Sequence, residues 1–481
     1  MTTQSSFQLN EATITDIHRA MESGELTALT LTKMYLEQIA AFNSNGPKIN
    51  AIIEINPDAL HIAEALDKEY AKTDKLGPLH GIPILIKDNI DSGDNMHTSA
   101  GSIALENHYA NDDAFITKKL REAGAVILGK ANLTEWANFM AEGMSNGYSS
   151  RGGQVLNPYG PGKLDVGGSS AGSGAGIAAN FATAAIGTET DGSILSPASS
   201  NSLVGIKPTV GLISRSGIIP ISNSQDTAGP MTRTVADAAI LLGAIADKDV
   251  QDPATLMNNN QITNYTPFLN ENGLDTARIG VPRSYLNDLD ETELKLVNQA
   301  LEDMKKMGAT IVDPIDLPDE LPDSSVLYHE FKNGINAYLG SLPTHSPVHT
   351  LLDVINFNQS HESEALKYGQ ATLLKSEAKS GKLVEAEYIT DRLTDLKASQ
   401  KKLQEVMDEH KLDAVLFPNN FGSSIAARAG YPSITVPAGY ANSGKPVGVT
   451  FTGLAFSEAK LIELAYAYEQ ATKHRKSPIL E

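Results

Sequence analysis

Residues 167–193 read GGSSAGSGAGIAANFATAAIGTETDGS, and this stretch decides the fold. Two serine clusters, Ser169 with Ser170 and then Ser193, stand 24 residues apart, each set in glycine. Glycine adopts positive φ without strain and lets backbone N–H groups come close to a ligand. Between the clusters, residues 175–185 are small, mostly apolar and uncharged. An element exposed on one side would carry polar side chains there, so this one is buried. The reading is a buried helix over 175–180 and a buried strand over 182–186, with a polar, glycine-lined loop at each end. Polar loops held on a buried scaffold are the usual seat of an active site.

The alternation continues outward in both directions. Residues 11–42 carry helical stripes, 50–55 (NAIIEI) read as a strand, and 58–70 as a helix entered after Pro57. Residues 81–89, GIPILIKDN, form a short apolar run ending in a lysine, as in a strand buried on both faces. A helix at 115–122 and a strand at 125–128 follow, and Thr234 opens a helix with a capping-box-like start, running to about 246. Residues 247–276 read as a surface crossing. Strands are expected at 278–281, 310–312, 413–417, 433–436 and 447–452, with helices at 291–307 and 458–471. Residues 314–410 are mostly helical and polar. Such alternation predicts an α/β sheet covered by helices. We read one large unit over 1–481, with a helical insertion at about 314–410.

With 481 residues, 41% of them hydrophobic, a sizeable core is expected. The formal charge of −20 argues against autonomous binding to nucleic acid or anionic membranes. Cysteine is absent, which excludes disulfides, zinc–thiolate sites and a catalytic thiol. The beginning, MTTQSSFQLNEATI, lacks the basic and apolar regions of a signal peptide. No window approaches the ~18 apolar residues of a membrane span. A cytoplasmic protein is expected, although a mature secreted chain would read the same. His61, His80, His97 and His108 have no paired ligand spacing, so no metal is expected.

Residues 168–172, Gly-Ser-Ser-Ala-Gly, match the nucleophile elbow G-x-S-x-G, which would make Ser170 the nucleophile of an α/β-hydrolase-type esterase. That motif needs a buried strand before it and a histidine after it. NPYGPGKLDVGG precedes it instead, and His329, His345, His349, His361, His410 and His474 lie in polar context. Gly172, Gly174 and Gly176 lack dinucleotide-loop spacing and read as helix packing. Trp136 reads equally as a core anchor or a pocket wall. Lys87 differs, because an ammonium at the end of a buried strand is costly to desolvate unpaired.

Several stretches together resemble the amidase signature family of Ser–Ser–Lys amide hydrolases. They are GIPILIKDNI from Gly81, GAVILGKANLTEW from Gly124, GGSSAGSGAG from Gly167, GTETDGSI from Gly187, GIKPTVGLISRSGIIP from Gly205 and SQDTAGPMTRTVADAA from Ser224. AGYPSITVPAGY, GKPVGVTFTG and AYAYEQ follow near the C-terminus. The resemblance covers roughly 50–245 and 411–471. It implies a large mixed sheet covered by helices on both faces.

The resemblance also implies roles. Ser193 would be the acylated nucleophile, Ser169 the bridging serine after a cis Gly168–Ser169 bond, and Lys87 the base. Ser170 would be a supporting hydrogen-bond partner. The N–H groups of Thr190, Asp191, Gly192 and Ser193 form a natural nest for an oxyanion. No cofactor is required. TETDGSI, with Asp191 where most members have glycine, resembles the members that hydrolyse C-terminal amides of peptides and release ammonia. Leu195 replaces the usual arginine, and residues 418–429 are shorter than the family norm, so one pocket wall is open or rebuilt. The competing reading within the fold is the amidase subunit of a tRNA-dependent amidotransferase.

Overall fold

The computed structural model describes residues 7–258 and 262–480. Among the described residues the strands are β1 (Ile52–Ile55), β2 (Pro83–Lys87), β3 (Val126–Ala131), β4 (Tyr148–Ser149) and β5 (Gly153–Gln154). They continue with β6 (Ala184–Glu189), β7 (Val204–Lys207), β8 (Thr227–Thr232), β9 (Arg278–Gly280) and β10 (Thr310–Val312). β11 (Ala414–Pro418), β12 (Ser433–Tyr440) and β13 (Pro446–Thr452) complete the set. β4 and β5 pair with each other; the other eleven form one mixed sheet in the order β1-β3-β2-β6-β8-β7-β12-β13-β11-β9-β10.

The central strands explain themselves. Every residue of β2 (PILIK) and β6 (AAIGTE) is buried, as near-continuous apolar runs in a covered sheet must be. β2 runs parallel to β3 and β6, with Leu85 opposite Ala185 and Ile86 opposite Ile186. That register sets Lys87, the last residue of β2, beside the end of β6. Helix Val235–Ile245 packs on β7 and β8, and helix Glu458–Thr472 on β12 and β13. Thr234 caps the first of these, its hydroxyl accepting from the Asp237 N–H at 3.1 Å.

The buried helix of the opening stretch runs Ala171–Ala178, so it starts earlier than the sequence predicts. Glycine is a poor helix former in isolation, and here packing overrides propensity. A Cβ at Gly172 would lie 2.2 Å from the Ala51 carbonyl oxygen and 2.4 Å from that of Asn132. The helix packs on β2, β3 and β6, and a Cβ at Gly176 would lie 3.0 Å from Leu85 of β2.

Residues 247–276 are more than a surface crossing. Asp249, Asp252 and Thr255 are buried, because Asp252 pairs with Arg215 at 2.6 Å and Asp249 takes a hydroxyl bond from Ser214 at 2.6 Å. The polar side chains that suggest solvent in the sequence face one another instead. Between β10 and β11 the chain includes helices Val326–Gly340, Leu351–Ser360, Ala371–Glu377, Ala386–Leu396 and Lys402–His410. Several of them share a second apolar cluster, with Phe331, Ile335 and Leu373 packed around Trp136 and Met140. Trp136 is therefore a core anchor. His329, in polar sequence context, is buried and lies 3.1 Å from Glu387.

Candidate active site

β2 delivers Lys87 into the interior, where it is fully buried. Its Nζ lies 2.7 Å from Ser169 Oγ, 2.8 Å from Thr188 Oγ1 and 3.3 Å from the Thr188 carbonyl oxygen. The Asn89 amide holds the Thr188 hydroxyl from the other side at 3.1 Å. Burial pulls the lysine down to about 7, against the fields of Asp226 and Glu189, which favour its charged form. Both carboxylates stay outside ion-pair distance, so the ammonium gains no direct partner of opposite charge.

The Gly168–Ser169 peptide bond is cis, as the resemblance implies. A Cβ at Gly168 would meet Asn146 Oδ1 at 2.6 Å and Thr134 Oγ1 at 2.7 Å, so the loop also needs glycine there. Ser170 is fully buried, and its hydroxyl is fully engaged. It donates to the Thr188 carbonyl at 3.0 Å and accepts from the Thr188 N–H at 3.2 Å. Its own N–H donates to the Ser193 carbonyl at 3.1 Å. Ser170 thus ties the first serine loop to β6 and to the second serine loop. Residues 155–168 contain no strand, so the elbow geometry that a Ser170 nucleophile needs is missing.

Ser193 sits between Gly192, at φ +81°, and the short helix Leu195–Ser200. Glu189 fixes the turn: its Oε2 accepts from the Ile194 N–H at 2.7 Å and the Leu195 N–H at 3.0 Å. Burial pushes the Glu189 carboxyl up, and the Lys207 charge opposes that. Leu195 is buried, so the position of the family's arginine contributes no charge to the cleft. Thr190 is anchored twice, its hydroxyl donating to Asp226 Oδ1 at 2.5 Å and its carbonyl accepting from Gln225 at 3.2 Å. Asp226 also accepts from the N–H groups of Ile221 and Ser222, both at 2.8 Å, and burial raises its carboxyl to about 6.

The wall between Pro418 and Ala429 is rebuilt rather than open. Helix Ser423–Ala429 stands there, and a Cβ at Gly192 would lie 3.1 Å from Ser423 Oγ and 3.3 Å from Asn420 Nδ2. Ser423 and Ser424 donate to the two oxygens of Asp191 at 2.8 and 2.7 Å. The structure therefore brings Lys87 onto Ser169 directly, and joins the Ser169–Ser170 loop to Ser193 through Ser170. A cavity of about 500 Å³ adjoins the site, touching Asn89, Thr188, Thr190 and Asp226 without reaching Ser169 or Ser193.

Thr188, Glu189, Asp226, Ser423 and Ser424 escaped the sequence reading. For Glu189 and Asp226 the signal is present: each is a carboxylate inside a run of small residues, TETDGS and SQDTAGP. Buried charge of that kind demands partners. Nothing local marks Ser423 and Ser424, which reach Asp191 across more than 230 residues of chain.

The Amidase family model matches residues 30–426. A probable amidase of Arabidopsis thaliana is 43% identical over 98% of this chain and 92% of its own length. The crystal structure of native peptide amidase from Stenotrophomonas maltophilia superposes with a TM-score of 0.92. It is 44% identical, over 98% of this chain and 99% of that one. A glutamyl-tRNA(Gln) amidotransferase subunit from Rippkaea orientalis is 33% identical over 98% of this chain and its full length. A buried lysine on a serine, a second serine after a positive-φ glycine and a matching mixed sheet accord with these likenesses, and the family model together with the relatives shows that this chain belongs to the amidase family, hydrolases that act on amides.

Proposed function

We propose that the chain hydrolyses C-terminal carboxamides of peptides to the free acid and ammonia, through an acyl-enzyme on Ser193. The observation that carries this reading is the 2.7 Å approach of desolvated Lys87 to Ser169. A serine hydroxyl is a weak nucleophile and must lose its proton as it attacks. Ser193 Oγ bonds to the amide carbon while its proton passes to Ser169 Oγ, and the Ser169 proton passes to neutral Lys87. The carbonyl electrons move onto oxygen, which the N–H groups of Thr190, Asp191, Gly192 and Ser193 receive. Lys87 then returns its proton through Ser169 to the leaving nitrogen, the C–N bond breaks, and ammonia departs. Water repeats the sequence on the ester and frees the acid. Ser170 holds the two serine loops in register, as a positioning residue.

The peptide-amide reading draws support from 44% identity to the Stenotrophomonas enzyme, against 33% for the amidotransferase component. We read residues 1–481 as a single catalytic domain, the helices of 314–410 being an insertion. We read its setting as cytoplasmic; among the described residues no helix is long and apolar enough to cross a membrane. The test is ammonia release by the purified chain from a panel of peptide amides, beside free glutamine. Turnover of peptide amides without a partner protein supports hydrolysis. Ammonia from glutamine alone, and only with an added partner, reverses the reading in favour of an amidotransferase component.

A further inference from the structure

Asp191 is two residues from Ser193, and it is exposed. Ser423 Oγ donates to its Oδ1 at 2.8 Å and Ser424 Oγ to its Oδ2 at 2.7 Å. One hydroxyl donor on each oxygen fits an ionised carboxylate, which only accepts. Among the described residues no lysine, arginine or histidine pairs with it. Arg428, on the same short helix as the serines, is occupied by Asp395 at 2.8 Å and by the Pro322 carbonyl at 2.6 Å. Desolvation pushes the Asp191 carboxyl up, while the two serines and, more weakly, the charges of Arg428 and Lys207 draw it back down. An oriented carboxylate with no cation in direct contact therefore stands two residues before the Ser193 nucleophile. Its free lone pairs can accept, and its charge repels anions.

In a peptide amide, the α-carbon beside the scissile carbonyl carries a nitrogen two bonds from the attacked carbon. We infer that Asp191 is the residue that reads this nitrogen, its carboxylate accepting a hydrogen bond from an acylated N–H or a free α-ammonium. The inference rests on the Ser193 reading above. It names the substrate class more narrowly: carboxamides with an N–H donor on the α-carbon, in preference to plain acyl amides. It also gives the charge a second use, because the acid left after deacylation meets a like charge and is expelled. A hydrogen bond to a charged acceptor corresponds to about 10- to 100-fold in kcat/KM.

The experiment compares three amides with one side chain on the wild-type protein: N-acetylphenylalaninamide, its α-N-methyl derivative and 3-phenylpropionamide. The first should exceed the other two by about 10- to 100-fold in kcat/KM, measured as ammonia released. Asp191→Ala should collapse that ratio toward one. Asp191→Asn, which keeps an acceptor but loses the charge, should depress free phenylalaninamide more than the N-acetyl compound. Ser424→Ala, which loosens one oxygen, should lower the ratio partway. Equal rates on all three amides in the wild type overturn the role of Asp191 and leave peptide-amide hydrolysis standing. An equal loss on all three in Asp191→Ala overturns it as well. No ammonia from any of them overturns both.

Discussion

Lys87 Nζ rests 2.7 Å from Ser169 Oγ, while Asp226 and Glu189, the carboxylates that raise its proton affinity, stay outside ion-pair contact. Burial wins over their fields, and the lysine falls from the ordinary 10.5 to about 7. Ammonium cannot accept a proton, so activity needs the neutral form. kcat/KM should rise with pH through about 7 and level off above it. Lys87→Ala should remove this limb and lower the rate by about 10²–10⁴-fold or more. A profile flat from pH 6 to 9 would exclude Lys87 as the base.

The same geometry makes Asp226 a tuner of that limb. Its negative charge stabilises protonated Lys87, so removing the charge must lower the lysine further. In Asp226→Asn the limb should move to lower pH. Maximal kcat should also fall, because one oxygen of Asp226 holds Thr190 and the other the Ile221 and Ser222 N–H groups. pH profiles of the two proteins, overlaid, check the direction.

Ser193 and Ser170 should separate cleanly. A fluorophosphonate should label wild type and Ser170→Ala but not Ser193→Ala, with the adduct mapped by peptide mass. Ser170→Ala has a different cost. It removes the Thr188 N–H acceptor and one of the donors on the Thr188 carbonyl, which Lys87 still reaches, and should lower stability by about 1–3 kcal/mol. Label on Ser170 in any of the proteins would revive the esterase reading.

Gly172→Ala tests the helix packing. Its methyl group would sit inside contact distance of two backbone oxygens, on Ala51 and Asn132, which no rotamer change relieves. A loss of roughly 1–3 kcal/mol or more is expected, read from denaturant or thermal unfolding. Gly24→Ala, where nothing lies within 4 Å but φ is +75°, should cost less.

What was legible in the sequence was whatever is local. The helix Phe115–Glu122 and the strand Thr310–Val312 are where the residue pattern puts them, because each has its period and its stop signals written in adjacent residues. Lys87 was legible as an anomaly, a charge ending an apolar strand. Strand order was not: β12 turns back on β13 within a few residues, but its other edge pairs with β7 more than 200 residues earlier, which no window contains. The hold of Ser423 and Ser424 on Asp191 was hidden for the same reason. Asp252 misled, because its composition says solvent while its partner, Arg215, is 37 residues away.

The placement of β12 against β7 also sets the timetable of synthesis. Ser433 pairs with Lys207, 226 residues earlier in the chain. At about 5–20 residues per second, β7 leaves the ribosome roughly 10–45 s before its neighbour exists. Through that interval the nascent half-sheet carries an open row of backbone donors and acceptors, a template for pairing with another chain. The serines that orient Asp191 emerge just before β12, so the nascent protein completes the Asp191 wall and loses its sticky edge within the same few seconds.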